Sequence, residues 1–157
     1  MRKSPAHLPA SLFLLVLVAV VSALTEVFGA LLPPPPNDEI AMRIIVGLGL
    51  PLAFTWALLS LAGRRARFLQ TATALLGVGA LAALILYPLD SLLRLMGEDK
   101  FLWIIGLLWT VVFIWYLAAC AHIWRAAFDS GLFLGGFISI GYFFLALVVD
   151  RQLLPQS

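Results

Sequence analysis

Glu26 is the one acidic residue set well inside a long apolar run of this chain. A carboxylate in that setting must pair, snorkel or take up a proton. It stands roughly six residues before the end of its run, about 9 Å deep at 1.5 Å per residue. Arg43 opens the next run, and a hairpin brings it to a similar level. Two readings stand side by side. One is a structural Glu26–Arg43 ion pair or a snorkelling side chain, and the other is an intramembrane proton or cation site.

The remaining candidates are sparse. His7 and His122 fall near one face, and two axial histidines could hold a b-type haem. That arrangement needs both on facing helices within the membrane, and His7 stands in a proline-flanked tail. No cofactor is expected. The single cysteine, Cys120, excludes an intrachain disulfide and a cysteine-based metal cluster. It reads as a small packing residue, with S-acylation the alternative chemistry. There is no phosphate-binding glycine loop, nucleophile elbow, HExxH or carboxylate dyad, so the expectation is a protein that is not an enzyme.

Small residues recur at helical spacing. Gly131, Gly135 and Ser139 share one face of the last apolar run, Gly79 and Ala83 one face of the third, as do Thr73 and Gly77. Such faces let helix backbones approach closely where lipid removes the hydrophobic drive for association. They predict packing within the chain, with a partner subunit or a second copy as the alternative.

These residues must be positioned by helices in a bilayer. Of 157 residues, 63% are hydrophobic and 11% charged, against roughly half and a quarter in soluble domains. Five apolar runs, about 10–32, 40–61, 68–89, 101–121 and 132–149, each approach the ~20 residues that cross a ~30 Å hydrocarbon layer. The prediction is an all-α, polytopic transmembrane bundle of five spans forming a single integral membrane domain over 1–157. The first run also has features of a signal peptide, with a basic start and Val21-Ser22-Ala23. Apolar residues continue past that point to Leu32, so an uncleaved span is expected. Pro33–Pro36 ends it in a stiff polyproline spacer, and Pro51 should kink the second span. Ser91 to Lys100 mixes leucines with charges and predicts a separate interfacial helix. In the aromatic fourth run, Trp103 and Tyr116 suit interface depths. Trp109, nearer the middle, should pack on a neighbouring helix.

Charge sets orientation. Arg64, Arg65 and Arg67 form the tightest basic cluster. With Arg2, Lys3 and Arg125 they fall on one side, whereas Arg43, Arg94, Lys100 and Arg151 fall on the other. In short loops the richer side stays cytoplasmic, which predicts N-in and C-out. The cluster also suits anionic lipid headgroups. A net charge of +2 is too small to suggest a nucleic-acid partner.

The segment Arg67-Phe68-Leu69-Gln70-Thr71, with Gly77, Gly79, Tyr87-Pro88 and the following Trp-rich span, resembles bacterial members of the Yip1-like family of small multispanning membrane proteins. The likeness covers the second span onward. It implies a compact helical membrane protein with minimal loops and supplies no catalytic residue. The eukaryotic members' soluble N-terminal region and Asp-Leu-Tyr-Gly-Pro-type signature have no counterpart here. The sequence therefore predicts a scaffold or accessory subunit of a bacterial inner membrane, in contact with the lipid bilayer and a membrane-protein partner or its own copy. The alternative is a small transporter or channel-like protein using Glu26, with the Pro51 break and Gln70, Thr71 and Thr73 lining a path.

Overall fold

The computed structural model describes residues 11–30, 37–96 and 102–153. They form α1 (Leu12–Ala30), α2 (Asn37–Leu61), α3 (Phe68–Met96), α4 (Leu102–Phe128) and α5 (Leu132–Leu153), with a 3-10 turn at Arg65–Arg67 before α3. Helix is what these apolar runs must form in lipid, where an unpaired peptide group has no water to turn to. Segments within α2 to α5 (Ala41–Leu61, Arg65–Leu89, Trp103–Phe128 and Leu132–Gln152) are long and apolar enough to cross a membrane. The apolar part of α1, Leu12–Thr25, is shorter. The described residues are those of a helical membrane protein, with no strand among them.

Helix ends carry the expected chemistry. The Ser11 hydroxyl accepts the Leu14 N–H at 3.3 Å and caps α1. Gly63, at φ +69°, ends α2. The Arg64 N–H donates to the Leu59 carbonyl at 2.7 Å and the Gly63 N–H to Ser60 at 3.1 Å, the paired bonds of a Schellman cap. The α4 terminus repeats the longer bond, Ser130 N–H to the Arg125 carbonyl at 3.2 Å. There the left-handed residue is Asp129, at φ +46°.

The most extensive contact is α4 on α5, followed by α1 on α3 and α3 on α4, while α2 touches α5 only narrowly. Leu59, Cys120, Trp124 and Ala127 make one buried cluster, and Leu15, Ala72 and Leu76 a second between α1 and α3. Gly135 explains the α4–α5 seam. A Cβ there would collide with the Ala121 carbonyl oxygen and lie 3.1 Å from the Arg125 nitrogen. Only a residue without a side chain lets the two backbones come this close. Ser139 follows one turn on, 2% exposed, its hydroxyl returned to the Gly135 carbonyl at 2.9 Å.

Three expectations change. Ser91–Met96 is not a separate interfacial helix, because α3 runs unbroken through Pro88. Proline removes one bond of the ladder, the one to the Leu84 carbonyl, and the helix continues past it to Met96. The Glu98–Lys100 part of that expectation lies outside the described residues. Helix α4 continues seven residues past the expected end at Ala121, to Phe128, because Ala126 and Ala127 favour helix and Asp129 supplies the stop. Trp109 does not insert against a neighbour. It is 36% exposed and stacks on Phe113 of its own helix at 5.3 Å, and Phe113 meets Phe143 of α5 edge-on at 4.8 Å.

Candidate functional site

Two constellations stand out, one at the basic end of the bundle and one near its middle. At the basic end, Arg64 and Arg67 converge on the terminus of α4. Arg64 Nη1 donates to Asp129 Oδ2 at 2.7 Å and to the Ala127 carbonyl at 3.3 Å. Arg67 Nη1 donates to the Ala126 and Ala127 carbonyls at 2.7 and 3.2 Å, and its Nη2 meets Asp129 Oδ2 at 2.8 Å. Those carbonyls belong to the last turn of α4, which has no intrahelical donors left to offer them. Two guanidinium groups also complement the negative end of the helix dipole. The hydrogen bonds from Arg67 and then Arg64 hold the Asp129 carboxyl below its ordinary acidity range. Of the three arginines expected to orient the chain or hold headgroups, two are thus engaged within the protein. Arg65 is exposed, its guanidinium 6.0 Å from the centre of the Trp56 ring.

In the middle, the helices leave a chamber of about 180 Å³. Four aromatic rings, Phe54, Tyr116, Trp124 and Tyr142, form part of its wall. Phe54 meets Trp124 edge-on at 5.9 Å and Tyr142 at 5.2 Å. Tyr116, expected at an interface depth, is among the residues that line the chamber. Ser22, Thr25 and Thr55 are the hydroxyl-bearing aliphatic residues among those that line it. Ser22 donates to the Val18 carbonyl at 2.9 Å and bridges to Leu76 of α3 at 3.3 Å, and Thr25 donates to Ser22 at 2.7 Å. Thr55 differs. It is fully buried, and its Oγ1 has no hydrogen-bond partner.

Pro51 and Gly47 border the chamber too. Because Pro51 has no N–H, the Gly47 carbonyl lacks its ordinary intrahelical donor. Gly47 and Tyr142 also line a shallower groove of about 400 Å³ between α2 and α5, which carries Arg43 and Asp150. The chamber and the groove thus share Gly47 and Tyr142 as walls.

Glu26 lies in α1 directly after Thr25. Its side chain, and with it the expected approach to Arg43, lies outside the described residues, as does His7. His122 is exposed on α4. Gly79 and Ala83 line the chamber, whereas Gly77 faces Val18 of α1, whose side chain would stand 3.8 Å from a Cβ added there. Gly131 has open space where a Cβ would stand. Thr71 and Thr73 are not among the residues that line the chamber, and their hydroxyls return to the Arg67 and Leu69 carbonyls at 2.9 and 2.7 Å. Sequence reasoning missed Thr55, one of two hydroxyls, with Ser60, in the second apolar run. Its position one turn after Pro51 was the available signal, because a proline break exposes backbone and makes nearby hydroxyls useful. Compared with protein-family models, curated proteins and solved structures, the chain matches none.

Proposed function

We propose that this is a non-enzymatic integral membrane protein, a scaffold or accessory subunit that lays one helix against another membrane protein or a second copy of itself. The observation that carries the reading is the outer face of α5. Phe133, Phe137, Phe144 and Val148 are 90%, 74%, 61% and 50% exposed. Gly141 sits among them with open space at its Cβ position. From Phe137 through Gly141 and Phe144 to Val148 the spacing is four, three and four, the spacing of a helix–helix seam, with glycine as the hole between aromatic knobs. Five spans with the N-terminus inside, a bacterial inner membrane, and kinship of plan with Yip1-like proteins belong to the same proposal.

The test is purification in mild detergent with mass determination. The wild type should carry a stoichiometric membrane partner or form a defined oligomer, and Gly141→Leu should lose it while remaining folded. Unchanged assembly in Gly141→Leu overturns the reading. The transporter alternative draws support from one observation, that Thr25, the neighbour of Glu26, lines the chamber. It requires Glu26→Gln to abolish an ion-dependent flux, whereas the scaffold reading requires that change to be tolerated.

A further inference from the structure

We propose that the central chamber is a binding site for a small uncharged ring compound bearing a hydroxyl, of about the size of phenol, admitted along the α2–α5 groove. Size is the first argument. A dry apolar cavity of roughly 150 Å³ is known to take up benzene, and the chamber measures about 180 Å³. The second is the wall. The rings of Phe54, Trp124 and Tyr142 already meet one another in tilted and edge-on geometries, and such surfaces accept a further ring at the same spacings. Among the described residues that line it none is charged, which suits an uncharged occupant.

Thr55 supplies the polar anchor. A hydroxyl that is fully buried with no partner leaves a desolvation cost standing, and a ligand hydroxyl offers it both a donor and an acceptor. Access follows from Gly47, which is exposed and shared by chamber and groove. The Gly47 carbonyl, deprived of its usual donor by Pro51, gives that entrance a polar lip. The inference is independent of the partner proposal, because the chamber and the outer α5 face are altered by different substitutions.

The experiment titrates 4-fluorophenol and, separately, fluorobenzene into the full chain in lipid nanodiscs, read by fluorine NMR against empty nanodiscs. The wild type should give saturable binding of one equivalent of 4-fluorophenol, with fluorobenzene about tenfold weaker, the worth of one hydrogen bond in a desolvated site. Thr55→Val keeps the shape and loses the hydroxyl, so it should bind 4-fluorophenol about tenfold more weakly and leave fluorobenzene unchanged. Gly79→Leu should abolish both, since the Gly79 Cβ position opens onto free space and the added side chain fills the chamber. If Gly79→Leu fails to fold, Ala83→Leu takes its place. No saturable signal beyond empty nanodiscs, which is the result expected of a chamber holding only water, overturns the proposal. So does binding that neither Thr55→Val nor the filled chamber alters.

Discussion

The charged cluster at the basic end of the bundle and the Thr55 hydroxyl at its centre differ in how fully they are partnered. At the basic end, two arginines, a carboxylate and two helix-terminal carbonyls satisfy one another within 3.3 Å. At the centre, where an unpaired group costs more, Thr55 stands without a partner among the residues that line the chamber. Partners are cheap to find where water and headgroups are near, so a complete network there is a structural fastening. An incomplete one in the low-dielectric middle persists only if the surrounding helices hold it. Ser60, one turn before Arg64, also has a buried hydroxyl without a partner, so an unpartnered hydroxyl marks the place of interest only where it lines a chamber, as Thr55 does.

Substitutions can break or sharpen that contrast. The largest effect should come from the seam that holds α4 and α5 beside both regions. Gly135→Ala should cost about 3 kcal/mol, the upper end for overpacking, because its Cβ meets backbone and not a movable side chain. Gly136→Ala, with open space at the same atom, should be nearly neutral. Denaturant titration followed by helical circular dichroism compares the two. Next, Arg67→Gln removes three hydrogen bonds from the partly exposed clamp and should cost about 1 kcal/mol, less in high salt. A loss equal to that of Gly135→Ala would mean that the clamp, and not the seam, fastens the bundle. At the centre the sign should reverse. Thr55→Val deletes an unpaired hydroxyl without changing shape, so stability should hold or rise by up to about 1 kcal/mol. A clear loss would show that the hydroxyl is already satisfied.

The smallest effect is the pH response of the clamp. Asp129 has its acidity held down in the folded protein by Arg67 and Arg64. Its contribution is therefore fully present above the carboxylate's unfolded value and disappears as the pH falls through the lower, folded one. Acid-induced loosening should be shallower in Asp129→Asn than in the wild type, measured as unfolding midpoint against pH in the acidic range.

The helices were legible because lipid leaves a chain of uninterrupted apolar runs no other structure. Their ends were less so. Pro88 looked like a terminus, yet α3 runs through it to Met96, since one missing bond of the ladder does not end a helix packed among others in lipid. The Gly135–Ser139 face was readable from spacing alone, but which helix it would meet was not, because all the helices offer similar apolar surface. Arg64, Arg65 and Arg67 read as one cluster. Only the turn between α2 and α3 separates two that reach α4 from one that faces outward. The chamber had no sequence signature, since its wall is contributed by residues from all five helices, each unremarkable in its own run.

Cys120 has a practical consequence for chemical labelling. It is the chain's single cysteine and is 3% exposed within the cluster around Trp124, which shields its sulfur from water-soluble maleimides. The natural protein is thus its own cysteine-silent background. A cysteine introduced at Ser130, at the basic end, and another at Gln152, at the opposite end of α5, would be the reactive thiols in their respective chains. Membrane-impermeant reagents applied to intact cells would then read which end of the bundle faces the outside, with no native thiol to remove first.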